Sequence, residues 1–141
     1  MEKKRLFQIL TRADREDVIA LGAELQQTYP VVIVKKPEKS LTMIKMREPV
    51  KQSLFYLGEV IVTEATVSLD GTVGTAVTMG DDFDKTLHMA IIDAAENKSV
   101  FRKENLLLEW EAQQLRRLEQ ENAMFQKTKV DFHSMDSEAA Q

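Results

Sequence analysis

Hydrophobic and polar positions follow two rhythms along this chain, and the changes of rhythm mark the elements. Near the start, Leu6, Ile9 and Leu10 recur at helical spacing within residues 2–10. Thr11-Arg-Ala-Asp14 interrupts them. Asp14 suits the N-cap of a second helix, and Glu16 and Asp17 sit well against that helix's positive end. Val18, Leu21 and Leu25 give it one apolar face. Tyr29-Pro30 ends it, because a residue before proline is pushed out of the helical region.

The rhythm then shortens. Val31-Val-Ile-Val34 reads as a short strand and Lys35-Lys-Pro-Glu-Lys-Ser40 as a polar turn. Leu41-Thr-Met-Ile-Lys-Met46 alternates loosely, as a second strand would, until Glu48-Pro49 breaks it. From about Phe55 the chain is rich in Val, Ile and Thr, residues that fit a pleated surface. Asp70-Gly71 splits that stretch and signals a hairpin. A two-residue loop sets Val67 against Gly74 and Glu64 against Val77, leaving neither face apolar. A three-residue loop, Leu69-Asp70-Gly71, pairs Val67 with Val73 and Ile61 with Met79, which gathers the apolar side chains on one face. The pattern favours the second register. Gly71 serves the turn, while Gly74 and Gly80 mark a close approach or a strand end.

After Gly80-Asp-Asp-Phe-Asp84 the helical rhythm returns. Phe83, Leu87, Ala90, Ile91 and Ala94 form a stripe suited to covering a sheet. Asn97-Lys-Ser99 ends that helix. Residues 103–127 form a longer one, with Leu108, Leu115, Leu118 and Phe125 as a thin seam on a charged surface. Such a seam fits a partner as readily as the chain's own sheet. The tail 129–135 carries Val130, Phe132 and Met135, further candidates for partner contact. The predicted fold is α+β: a four-stranded antiparallel sheet with N-terminal helices and two C-terminal helices. One domain over 1–135 and a flexible tail, 136–141, are expected.

Composition narrows the chemistry. A length of 141 residues fits one domain. The net charge of −4 argues against nucleic-acid binding, which usually shows as a basic excess. With no Cys, disulfides, thiolate metal sites and iron–sulfur ligation are excluded. The N-terminus lacks the apolar run of a signal peptide, and no stretch is apolar enough to span a membrane, so a cytoplasmic protein is expected.

Three carboxylates, Asp81, Asp82 and Asp84, precede a helix. They suit either magnesium with a phosphate compound or helix capping, and capping needs these residues in this place. His88 lies four residues after Asp84, a spacing at which an acid–base pair could form and at which surface pairs are commoner. His133 has no second ligand at metal-binding spacing. The glycines match neither common phosphate-loop pattern.

Several segments in order resemble the PhnG family, a small subunit of the bacterial carbon–phosphorus lyase core complex. They are Phe55-Tyr-Leu-Gly-Glu59, Glu64-Ala-Thr-Val-Ser-Leu-Asp-Gly-Thr-Val-Gly74, Gly80-Asp-Asp82, Ala90-Ile-Ile-Asp-Ala94 and Lys129-Val-Asp-Phe-His-Ser-Met135. Relatives often carry a Lys-x-His-Ala-Glu run after the Gly-x-Asp. Here Phe83-Asp-Lys-Thr-Leu87 stands there and His88 falls three positions later, so no role of that histidine is carried over. The resemblance implies an accessory subunit of phosphonate breakdown. Its partners would be PhnI above all, with PhnH, PhnJ and PhnL, and it would bind no cofactor itself. The assembly displaces adenine from MgATP by an alkylphosphonate, giving α-D-ribose 1-alkylphosphonate 5-triphosphate. Two other readings of the residues stand beside it. One is a separate metal-dependent enzyme built on Asp81, Asp82, Asp84 and His88. The other is a homodimeric adaptor paired through residues 103–127.

Overall fold

The computed structural model describes residues 1–139, with side chains described up to residue 126. The chain forms two units, Met1–Arg102 and Lys103–Gln141. The first holds helices α1 (Lys3–Arg12) and α2 (Arg15–Thr28), strands β1 (Val31–Arg47), β2 (Leu54–Leu69) and β3 (Thr72–Met79), and helix α3 (Phe83–Asn97). The second is a single helix, α4 (Glu104–Ala139). It continues well past the expected end at 127. The expected tail overlaps its last residues, and 140 and 141 lie outside the described residues.

The helix boundaries follow the local chemistry. Asp14 stands at the N-cap of α2, although its side chain makes no capping bond; its carbonyl accepts from Asp17 and Val18 N–H at 3.1 and 3.2 Å. Tyr29, before Pro30, leaves the helical region at the other end. Asp82 caps α3 with its side chain, accepting from Lys85 N–H at 3.2 Å.

Three antiparallel strands, not four, make the sheet, in the order β1-β2-β3. The correction lies at Lys35–Ser40, where the expected turn is part of one seventeen-residue strand. That stretch has none of the Gly, Asn or Asp that usually supply a reversal. It is polar because it is solvent-exposed, and register shifts beside Lys35 absorb Pro37 without ending the pairing.

The hairpin register is corrected as well. Leu69 pairs with Thr72, Val67 with Gly74 and Ala65 with Ala76, so the loop is Asp70-Gly71 alone. Both loop residues have positive φ, 46° and 86°, as the twist of a two-residue hairpin loop requires. The inner face of β3 is therefore Gly74, Ala76 and Thr78, while Val73, Val77 and Met79 point outward and are exposed. Smallness, not hydrophobicity, selects the inner residues. A Cβ built on Gly74 would collide with the backbone of α3, at Ala94 N and Ala90 O. The backbone of α3 rests directly on that strand.

This contact centres the core. Met89, Ala90, Ile91, Ile92, Ala94 and Ala95 of α3 are all fully buried. Strand β2 contributes Ala65, Val67 and Leu69; α1 contributes Leu6, Ile9 and Leu10; α2 contributes Val18 and Leu21. Each large aliphatic side chain buried in this way contributes about 1.5–3 kcal/mol relative to exposure. Asp93, 2% exposed, faces the free edge of β3 and accepts from Thr75 N–H at 3.0 Å. Asn97 Nδ2 donates to Val73 O at 3.0 Å along the same edge.

Gly74→Ala is expected to lower stability by about 2 kcal/mol or more, because the added methyl meets backbone and not a movable side chain. Urea unfolding checks this, and an unchanged midpoint would contradict the packing described.

Candidate functional site

The acidic cluster sits where the start of α3 meets the junction of α1 and α2. Its carboxylates are engaged by cations of the same chain. Arg15 Nε donates to Asp82 Oδ2 and Oδ1 at 3.0 and 3.2 Å, and its Nη2 donates to Asp84 Oδ2 at 3.1 Å. Asp81 Oδ2 lies 4.0 Å from Lys39 Nζ. Asp82 thus caps a helix and also closes an ion pair across two elements. Among the described residues, no group of three or more His, Cys, Asp or Glu is placed to hold a metal ion.

His88 follows Asp84 by one helical turn, but the two side chains take different partners. His88 Nδ1 donates to the backbone carbonyl of Asp84 at 2.7 Å, while the Asp84 carboxylate is turned to Arg15. The imidazole packs on Gly22 of α2. A Cβ at Gly22 would lie 2.6 Å from His88 Cδ2, so the absent side chain is what admits the ring.

Lys85 completes the junction. Its Nζ donates to Thr11 O and Ala13 O, both at 2.9 Å, satisfying carbonyls at the C-terminal end of α1. Burial lowers its pKa from the ordinary 10.5, and the charges of Asp82 and Asp14 oppose that shift. Thr86 hydroxyl donates to Asp82 O at 2.8 Å and lies 2.6 Å from Thr78 Oγ1, which ties β3 to the same corner. The arrangement can fix three helix ends and a strand end in place. Arg15 and Lys85 are the parts that reading the sequence missed. Their partners are remote in the chain, and spacing along a helix does not reveal them.

The partner-contact candidates divide. Leu108, Leu115, Leu118 and Phe125 are exposed on α4. The side chains of Val130, Phe132, His133 and Met135 lie outside the described residues. A second apolar surface went unforeseen. β3 pairs with β2 only from Val62 to Leu69, whereas β1 pairs with β2 as far as Arg47 and Leu54. Beyond Val62 the sheet therefore continues as a two-stranded arm, closed by the loop 48–53. Leu41, Met43, Leu54, Phe55, Tyr56 and Leu57 are exposed on it. Lys45 Nζ lies 5.5 Å from the centre of the Tyr56 ring. The signal was the unbroken run Leu54-Phe-Tyr-Leu57. Such a run, lacking alternation, belongs to strands covered on both faces.

Among the described residues, no helix is long and apolar enough to cross a membrane. A family model described as "Phosphonate metabolism protein PhnG" matches residues 1–136. No curated protein matches the chain.

Two measurements test the junction. Gly22→Ala should forfeit the roughly 1 kcal/mol that alanine ordinarily gains over glycine in a helix, and His88→Ala in the same chain should restore it. A double-mutant cycle is expected to give a coupling of about 1–3 kcal/mol, and simple additivity would contradict the contact. For Lys85, the folded-state pKa lies below 10.5, so the unfolded chain holds the proton between the two values. Stability from this group then rises with pH across that window. The difference between wild type and Lys85→Met should shift in favour of the wild type as pH approaches 10.5. Urea midpoints over a pH series measure it, and a flat or falling difference contradicts the burial.

Proposed function

The chain belongs to the PhnG family of phosphonate metabolism proteins, and we propose that it works there as an accessory subunit of a carbon–phosphorus lyase assembly without a complete active site of its own. The observation that carries this reading is the match over residues 1–136, nearly the whole chain. Family membership gives a role in phosphonate metabolism; the division of labour within it is our reading. PhnI is the first partner, with PhnH, PhnJ and PhnL beside it. The assembly acts on MgATP and an alkylphosphonate, forming α-D-ribose 1-alkylphosphonate 5-triphosphate. This subunit binds no cofactor and works in the cytoplasm.

Two features support a role by contact. The carboxylates best placed for metal or acid–base chemistry, Asp82 and Asp84, are committed to Arg15 and a helix cap. Large apolar side chains stand exposed in both units, on the arm and on α4, as they do on chains that bury them against others. The exposed seam of Leu108, Leu115, Leu118 and Phe125 also suits a homodimeric adaptor paired through α4.

The test is co-expression of the tagged chain with PhnI, PhnH, PhnJ and PhnL, followed by affinity purification and light scattering. A stoichiometric complex containing PhnI is expected. A chain that emerges alone and monomeric would sink the reading, and one that emerges alone as a dimer would replace it with the adaptor.

A further inference from the structure

Taking the chain as a subunit of such an assembly, the geometry points to the open edge of β2 over residues 54–60 as the place where a partner protein adds a strand, in line with β3, and to an acidic rim on that partner.

The edge is shaped for this. Gly80 N–H donates to Ile61 O at 2.9 Å, and there β3 leaves the sheet, with Gly80 at a φ of 95°. Beyond that point, among the described residues, no strand lies on β3's side of β2. A two-stranded ribbon is marginal in water on its own, and a third strand is what ordinarily makes such a ribbon independently stable. Proteins that leave an edge open usually blunt it with charges, proline or bulges. β1 follows that practice at Lys35, Lys36, Pro37, Glu38 and Lys39. Residues 54–60 of β2 contain no proline and one charge, Glu59.

Gly58 adds a separate observation. Its φ is not positive, and a Cβ built on it meets nothing within 4 Å. Neither its backbone conformation nor crowding within the chain calls for glycine there, although it borders the register shift opposite Ile44 and Lys45. A glycine on an exposed strand also suits close approach by another backbone.

Charge narrows the occupant. Over the arm itself, residues 40–62, Lys45, Arg47 and Lys51 stand near the closed end against Glu48 and Glu59, whereas Lys35 and Lys39 lie off the arm and are paired with Glu64 and Asp81. The arm carries +1 in a chain of net −4, so the remainder carries −5. A different chain that brings an extended apolar strand flanked by Asp or Glu complements both the edge and its charge.

Hydrogen exchange on the co-purified complex, compared with the isolated chain, reads the backbone directly. Amides within 54–60 should be protected at least about tenfold in the complex, the size expected for added ladder hydrogen bonds. Gly58→Val should leave the melting temperature of the isolated chain unchanged or raised while reducing recovery of the complex. Lys45→Glu with Arg47→Glu should weaken the complex most at low salt and leave the isolated fold intact. A complex that forms with 54–60 unprotected, or that tolerates all three substitutions, overturns the docking site while leaving the subunit reading in place. Failure to form any complex removes the subunit reading itself. Protection of the arm only in a homodimer, or only with anionic phosphatidylglycerol vesicles, overturns the proposal in favour of a second copy or a membrane surface.

Discussion

The contact of α3 with β3 at Gly74 sets the terms for the rest of the first unit. A helix backbone that rests on a strand backbone tolerates no side chain between them, so the inner face of β3 is reduced to Gly, Ala and Thr. That closeness brings Asp93 and Asn97 within reach of the strand's free edge, where they satisfy Thr75 N–H and Val73 O. It also settles the register. Only the two-residue turn puts Gly74 and Ala76 under the helix together with Ala65, Val67 and Leu69.

The element types outside β1 and the boundaries of the first three helices were legible in the sequence because they rest on local chemistry, whereas the end of α4 was not. Asp14, Pro30, Asp82 and the Asp70-Gly71 step each act within a few residues of themselves. The register was misread because the rule applied to it, apolar side chains to the core, fails where a strand lies too close to a helix to accommodate them. Val73 and Val77 were assigned inward on their chemistry, and the spacing of the backbones turned them out. Lys35–Ser40 was misread for a related reason. Polarity marked exposure on both faces of a strand, not a reversal of the chain.

The candidate site was legible in part. Helix capping by Asp82 followed from its position, whereas Arg15 is 67 residues away and its pairing comes only from the fold. The same corner shows why a compact acidic cluster is weak grounds for a catalytic centre. Its charges are spent on holding helix ends together, and surface-exposed pairs of this kind contribute at most about 1 kcal/mol each to stability. The chemistry left without a use inside the unit is apolar and lies at the far end of the sheet. That distribution agrees with a family member whose work is done by contact.

The turn at Asp70-Gly71 bears on how the chain reaches this structure. It joins β2 to β3, and α3 follows after three residues, so the packed centre is built from one continuous stretch. Closing a two-residue loop costs little chain entropy, and contacts between near neighbours in sequence form quickly. The seam between strand and helix is thus among the earliest long-lived structures open to the chain. The helices α1 and α2, which come first in the sequence, dock onto a surface that is made after them.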